Sequence, residues 1–431
     1  MSTQHPRQAG GGALRSPLTA EGRVLLDLAA PYVPQIRAEA EENDRLAAFP
    51  VETFAAFAKN GLMGATVPTE LGGLGVTRLH DVATALATVA EADASTALAW
   101  HVQLSRGLTL TWEWRNGTPP VRVMAEQLLR SMASGRAAVC GAVKDHPSAV
   151  TTLTRDGSGR WSLSGRKTLV SMTPIATHFF VHAQTRVDGE PPMLTVAMLP
   201  RDTPGLTVLT DWNGLGMRAS GTADIAFDNC PVSDEDVLPR RSLGGRNDAV
   251  LAGQTVSSIT MLGIYTGISQ AARDIAVARC AGGSGQPPAA AATLLAEIDA
   301  RLFALRATAA TALTDADTAS ADHSGDPAER GRRMMTPFQY AKMIVNKMSL
   351  GIVNDSLTIV GGMAYSAAHP LARLVRDVRA GWFMQPYTYP DGVNYLTAQA
   401  LRLRRDNDYV SARAVPTPVG NTEDAPPRER V

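Results

Sequence analysis

Gly214-Leu215-Gly216-Met217-Arg218-Ala219, followed by Ser220-Gly221-Thr222 and then Ala223-Asp224-Ile225-Ala226-Phe227, separates a nucleotide-binding parallel sheet from other folds for this chain. Its first six residues satisfy G-x-G-x-x-A. A dinucleotide fingerprint of that form follows a strand and opens a helix, so that the pyrophosphate meets the helix N-terminus. Here the glycines lead into residues 223–227, which read as a strand. The context the fingerprint needs is absent, and a nucleotide-binding parallel sheet is not expected.

On either side of this stretch the texture is β. Runs at 161–163, 179–181, 194–199 and 206–209 are separated by turn signals, the clearest being Asp156-Gly157 and Pro204-Gly205. This texture begins near Ala137 and ends near Val232. Before it the chain reads as helical. Pro50 opens one segment and Asn60-Gly61 closes it, with Val51, Phe54 and Phe57 as one apolar face. A second helix runs from Leu79 to Ala92, and Asp93-Ala94-Ser95 restarts a third that carries Trp100 and His101. After the β segment, Leu262, Tyr265, Ile268, Ala272 and Ile275 keep helical spacing, as do Ala341, Ile344, Val345, Met348 and Ile352. Loops are expected over 282–288 and 320–330. Because strands do not alternate with helices, the order is an α+β arrangement rather than a βαβ sheet. The expected divisions are a disordered tail over 1–17, helices over 18–136, an antiparallel β domain over 137–240, a helical bundle over 241–412 and a second disordered tail over 413–431.

Composition excludes several function classes. Lys plus Arg and Asp plus Glu are both 41, so formal net charge is zero and nothing attracts nucleic acid or an anionic membrane. The three cysteines, Cys140, Cys230 and Cys280, are odd in number and lack any C-x-x-C, which argues against a disulfide framework or a cysteine-rich zinc site. There is no apolar leader and no run long enough to cross a bilayer, so a cytoplasmic protein is expected. His178 and His182 could share a metal on a helix. Phe179-Phe180-Val181 between them favours a strand, which would hold the two roughly 13 Å apart. No H-E-x-x-H and no G-x-S-x-G is present. No metal is expected.

Five segments, in order, resemble the acyl-CoA dehydrogenase superfamily. Gly61-Leu62-Met63-Gly64-Ala65-Thr66-Val67-Pro68, continuing through Glu70-Leu71-Gly72-Gly73-Leu74-Gly75, is similar to its "GL.G..VP.E.GGLG". Leu163-Ser164-Gly165-Arg166-Lys167 is similar to "L.G.K", 215–220 to "LG.R.S", and Phe227-Asp228-Asn229-Cys230-Pro231-Val232 to "F.d..VP". Gly361-Gly362, with Arg373 and Arg376-Asp377-Val378-Arg379, is similar to "GG…R..RD.R". The resemblance spans roughly residues 20–400. It implies an N-terminal helical domain, a middle β domain and a C-terminal four-helix bundle. It also implies FAD as cofactor and a homodimer or homotetramer in which a neighbouring subunit completes the flavin site.

Carried over by position, Ser171 matches a hydroxyl that bonds flavin N5, and Leu169 stands where a tryptophan often packs on the ring. Arg279 matches an arginine that reaches the FAD of a partner, a role suited to a planar fork facing pyrophosphate. Gly361 and Gly362 match a turn that approaches the cofactor closely. Thr358 replaces a common glutamine, and Gly282-Gly283 replaces a Phe-Gly. Cys140-Gly141-Ala142-Val143-Lys144-Asp145-His146 stands where the family has "T-E-P", which places Cys140 among the cofactor-binding positions.

The departure that matters concerns the base. Dehydrogenation of an acyl thioester needs a carboxylate for the α-proton. The family's glutamate falls nine residues after the arginine of the RD pair, and here that residue is Gln385. The alternative position, on the first long C-terminal helix, falls on Ser257. Asp391, His101, Asp145 and His146 are the substitutes considered, with Gln385, His101 and Asp391 as the catalytic candidates. The expected reaction is α,β-desaturation of an acyl thioester bound to CoA or a carrier protein, with an electron-transfer flavoprotein as possible acceptor. The second reading is a flavin-dependent monooxygenase or N-oxygenase of the same fold, supplied by a flavin reductase. The third is a non-catalytic FAD- or acyl-binding scaffold.

Overall fold

The computed structural model describes residues 13–187, 193–210, 212–238, 241–242, 248–282 and 286–403. Most of the first expected tail and all of the second lie outside these residues. Of the first, residues 13–17 are described, and Leu14 is buried in the core rather than free in solvent.

The N-terminal helices are α1 (Ala20–Ala29), α2 (Val33–Leu46), α3 (Val51–Lys59), α4 (Leu79–Ala90), α5 (Ala94–Asn116) and α6 (Pro119–Ala133). Asp93 caps α5, accepting the Thr96 amide, and Pro50 precedes α3 as its spacing requires. Phe54 and Phe57 of α3 are buried, whereas Val51 is exposed. Val51 lies in the first turn, and its side chain projects back past the helix start.

The described strands are β1 (Val139–Ala142), β2 (Thr152–Arg155), β3 (Trp161–Val170), β4 (His178–Arg186), β5 (Met193–Pro200), β6 (Leu206–Leu209), β7 (Ala223–Val232) and β8 (Arg241–Ser242). They form one sheet of order β6-β7-β3-β2-β4-β5-β8. It is not wholly antiparallel. β1 and β2 both pair with β4 in parallel, β1 along His178–Val181 and β2 along Gln184–Arg186. They lie end to end on one edge of β4 because the chain leaves that edge at 143–151 and rejoins it in the same direction. His178 and His182 are on a strand, and no group of three metal-ligating side chains occurs among the described residues.

The C-terminal bundle is built on α8 (Met261–Ala281), α9 (Ala289–Ala321) and α10 (Pro327–Val360), with α7 (Val250–Val256), α11 (Pro370–Asp377) and α12 (Tyr389–Ala400) around them. The loop expected over 320–330 is shorter, because α9 continues to Ala321 and Asp326 caps α10. One buried cluster runs from Leu14 to Tyr395 through helices and sheet, and a second lies where α5 and α6 cover the outer face of β1 and β4. No helix among the described residues is long and apolar enough to cross a membrane.

The three parts meet at α11. Asp377, fully buried, accepts the Met217 amide, and burial pushes its carboxyl up to about 7 against the pull of Arg373. Arg373 pairs with Asp93 at 2.8 Å, and Arg376 pairs with Asp44 of α2. Gly216 is a glycine for this reason: a Cβ there would lie 2.5 Å from the Arg376 carbonyl. The 214–219 stretch therefore packs on a helix end instead of cradling a pyrophosphate.

Arg373 and Asp93 are 11% and 2% exposed. Arg373→Met should lower the unfolding free energy by about 3–5 kcal/mol, because it strands buried carboxylates. Urea denaturation measures this, and a loss below about 1 kcal/mol would mean the pair is not the tie between domains.

Candidate functional site

The end of the β3–β7 ladder places the first candidates. The β3–β7 ladder is irregular between Lys167 and Val170, and Leu169 stands there at φ 60°, 37% exposed. An apolar side chain is thus held outward by the backbone. Two residues on, Ser171 shares a 2.8 Å hydrogen bond with the Thr222 hydroxyl, which shares one of 2.7 Å with Ser220. An apolar platform beside a hydroxyl chain fits the face and edge of an isoalloxazine.

The segment after β1 behaves differently. Cys140 is fully buried in the apolar core, and burial pushes its thiol up, so its side chain packs there. Asp145 accepts from Lys167 Nζ at 2.7 Å and from the Thr151 hydroxyl at 2.7 Å. These contacts pin the 143–151 loop. His146 bonds Ser148 on the exposed surface.

His101 and Ser257, distant in sequence, come together where α5 meets the start of the bundle. His101 is 4% exposed and shares a 2.9 Å hydrogen bond with Thr260, with the Ser257 backbone beside it. Burial, helped by Arg106, pulls its imidazole down to about 3, so it is neutral at physiological pH.

Gln385 is half-buried in the segment between α11 and α12. Asp391, in the first turn of α12, accepts from the Thr388 hydroxyl at 2.5 Å and so serves that helix end. Lys342, on α10, escaped the sequence reading. It is 7% exposed, and its Nζ donates to the carbonyls of Met384 and Tyr387, on either side of Gln385. Its helical spacing with Gln339 and Asn346 was the available signal.

Arg279 is exposed in the last turn of α8. Gly361, at φ 76°, and Gly362 are exposed, and nothing lies within 4 Å of a Cβ added to either. The positive φ is what requires glycine at 361. A cleft of about 1230 Å³ opens elsewhere, between α2, the 213–218 loop, α8 and α11. None of the predicted site residues lines it. It lies along the seam between domains, where Arg218, Arg373 and Arg376 are engaged by Asn213, Asp93 and Asp44.

Comparison with known proteins decides the family. The acyl-CoA dehydrogenase N-terminal domain matches residues 20–136, the middle domain 142–230 and the C-terminal domain 255–384. L-evernosamine nitrososynthase of Micromonospora sp. is 67% identical over 402 residues, covering 93% of this chain and 96% of that protein. An amino sugar nitrososynthase of Streptomyces rubradiris is 60% identical over 412 residues, covering 95% and 97%. The X-ray structure of KijD3 in complex with FMN and dTDP-3-amino-2,3,6-trideoxy-4-keto-3-methyl-D-glucose is 60% identical, with a TM-score of 0.92, covering 94% and 99%. The chain belongs to the acyl-CoA dehydrogenase superfamily. Within it, the chain sits on a divergent, nitrososynthase-like branch of flavin-dependent oxidoreductases related to monooxygenases.

Two expectations fall. Acyl-thioester desaturation is overturned by the nitrososynthase relatives, and the site agrees: the expected base positions hold Gln385 and Ser257, while Asp145 and Asp391 are tied to neighbouring side chains. FAD is overturned by the KijD3 complex, which holds FMN. A mononucleotide has no pyrophosphate, so the fork-to-pyrophosphate role expected of Arg279 falls with it.

His101 makes the site testable. Its folded pKa lies below the ordinary 6.5, so the folded state binds fewer protons than the unfolded. The stability this contributes is present above about 6.5 and is lost as pH falls toward about 3. His101→Gln should flatten that acid loss in urea titrations over the same window. An unchanged pH dependence would refute the buried, neutral imidazole.

Proposed function

We propose that this chain is an FMN-dependent N-oxygenase acting on the amine of a dTDP-linked amino sugar. The observation that carries the reading is the neutral amide of Gln385 at the position of the family's carboxylate. The likeness to nitrososynthases supports the substrate class. A nitrogen atom accepts oxygen through its lone pair. A carboxylate alongside would favour the charged ammonium and withhold that pair. An amide imposes no such charge, and its carbonyl can accept an N–H of the free amine. His101, neutral for the reason above, adds no charge either.

In this reading Leu169 packs against the flavin ring and Ser171 bonds its edge, while Gly361 and Gly362 leave room for a bulky group. Reduced FMN supplies the two electrons that let molecular oxygen place one atom on nitrogen and release the other as water. A separate flavin reductase would deliver it. The proposed assembly is a homo-oligomer, supported by Met363, Tyr365 and Phe383, which are 64%, 96% and 62% exposed.

The direct test supplies reduced FMN, oxygen and the amino sugar nucleotide named for KijD3, with mass spectrometry of the product. Hydroxylamino or nitroso sugar is expected, and unchanged amine with the flavin merely reoxidised would reject the reading. Gln385→Glu should weaken turnover at neutral pH and move the kcat/KM profile alkaline by about one pH unit or more. An unshifted profile would mean that this side chain does not face the amine.

A further inference from the structure

The segment that carries Gln385 has little regular structure of its own. It leaves a short turn ending at Trp382 and enters α12 only at Tyr389. What faces it is a polar stripe on α10: Gln339, Lys342 and Asn346 are 1%, 7% and 2% exposed. These residues follow helical spacing along one side. A buried polar stripe costs desolvation unless each group has a hydrogen-bond partner.

Lys342 has the most evident ones. Its Nζ donates to the Met384 and Tyr387 carbonyls; burial pulls its pKa down to about 7, with Asp391 pulling the other way. One turn later Asn346 packs on the backbone of Gly381, where an added Cβ would lie 2.3 Å from its Oδ1. One turn earlier Gln339 lies against Gly392, at 3.0 Å from an added Cβ. One helix face thus packs closely on the elements that flank the segment and bonds the segment itself on both sides of Gln385.

We propose that Lys342 is a positioning residue: by tying the backbone on both sides of Gln385 to α10, it sets where the Gln385 amide lies. The inference rests on the reading of Gln385 given above. Lys342 touches neither substrate nor cofactor and acts through the loop. A lysine suits this task because its Nζ, on a flexible stem, has two N–H donors even when uncharged and can serve two carbonyls at once.

The test is a double-mutant cycle of Lys342→Met and Gln385→Ala, read with reduced FMN, oxygen and the amino sugar nucleotide named for KijD3. Hydrogen exchange of the ligand-free proteins is measured alongside. Lys342→Met should speed exchange of the 383–388 amides by about tenfold or more while α8 and α9 stay protected. It should lower kcat by up to about 100-fold with little change in KM. Combined with Gln385→Ala it should add almost nothing further. Lys342→Arg should recover part of the loss. If Lys342→Met does not yield folded protein, Lys342→Gln, whose amide can serve one carbonyl, takes its place. If Gln385→Ala leaves turnover unchanged, the reading of Gln385 falls and the positioning role falls with it. If Gln385→Ala impairs turnover but the two losses multiply, Gln385 keeps its role and only that of Lys342 is overturned. Exchange at 383–388 unchanged in both Lys342 variants also overturns it.

Discussion

A buried carboxylate holds this molecule together. Asp377, with no accessible surface, accepts the amide of Met217 from the middle domain. On the same short helix, Arg373 and Arg376 reach Asp93 and Asp44 of the N-terminal helices. A buried ion pair contributes little to net stability compared with an apolar equivalent, but it is severe on any arrangement that leaves one partner alone. The network therefore selects one docking of three domains. The two parts of the candidate site depend on that docking, since Leu169 and Ser171 belong to the sheet while His101 and Gln385 belong to helical domains on either side in sequence.

The second theme is the absence of a carboxylate where the fold would allow one. Asp145 is committed to Lys167, Asp391 to Thr388, and Asp377 to the domain seam. Among the described residues, the other polar groups named at the candidate site are the Gln385 amide, the Ser171 and Thr222 hydroxyls, a neutral imidazole and the basic side chains of Lys342 and Arg106, none of them a carboxylate. Such a surface is poorly equipped to draw a proton from carbon. It is better suited to leaving an amine uncharged, as the proposed chemistry requires. The fold and the chemistry thus separate cleanly, as expected when function resides in a site placed on a shared scaffold.

Much of this was legible in the chain. The cap at Asp93, the helix opening at Pro50, the strand at 206–209 and the strand after the glycine motif are local features, set by hydrogen-bonding side chains and period-two patterning. The parallel pairing of β1 and β2 with β4 was not legible, because it depends on how a loop between them is pinned by Lys167 from another strand. The cofactor expectation failed for a related reason. Family motifs report the backbone that receives a flavin, and that backbone is shared by mononucleotide and dinucleotide forms.

The helix–sheet–helix order, the family and the missing base are all readable from the chain, the first from periodicity, the second from five motifs in order and the third from the residues at 385 and 257. Only the tertiary structure decided which polar residues are available. It buried Cys140 in the core, gave Asp145 an ammonium, set His101 against Thr260 and turned Lys342 inward onto the Gln385 segment. The physical reason is that protonation state and hydrogen-bonding capacity depend on burial and on partners far away in the chain, and neither is a property of local sequence.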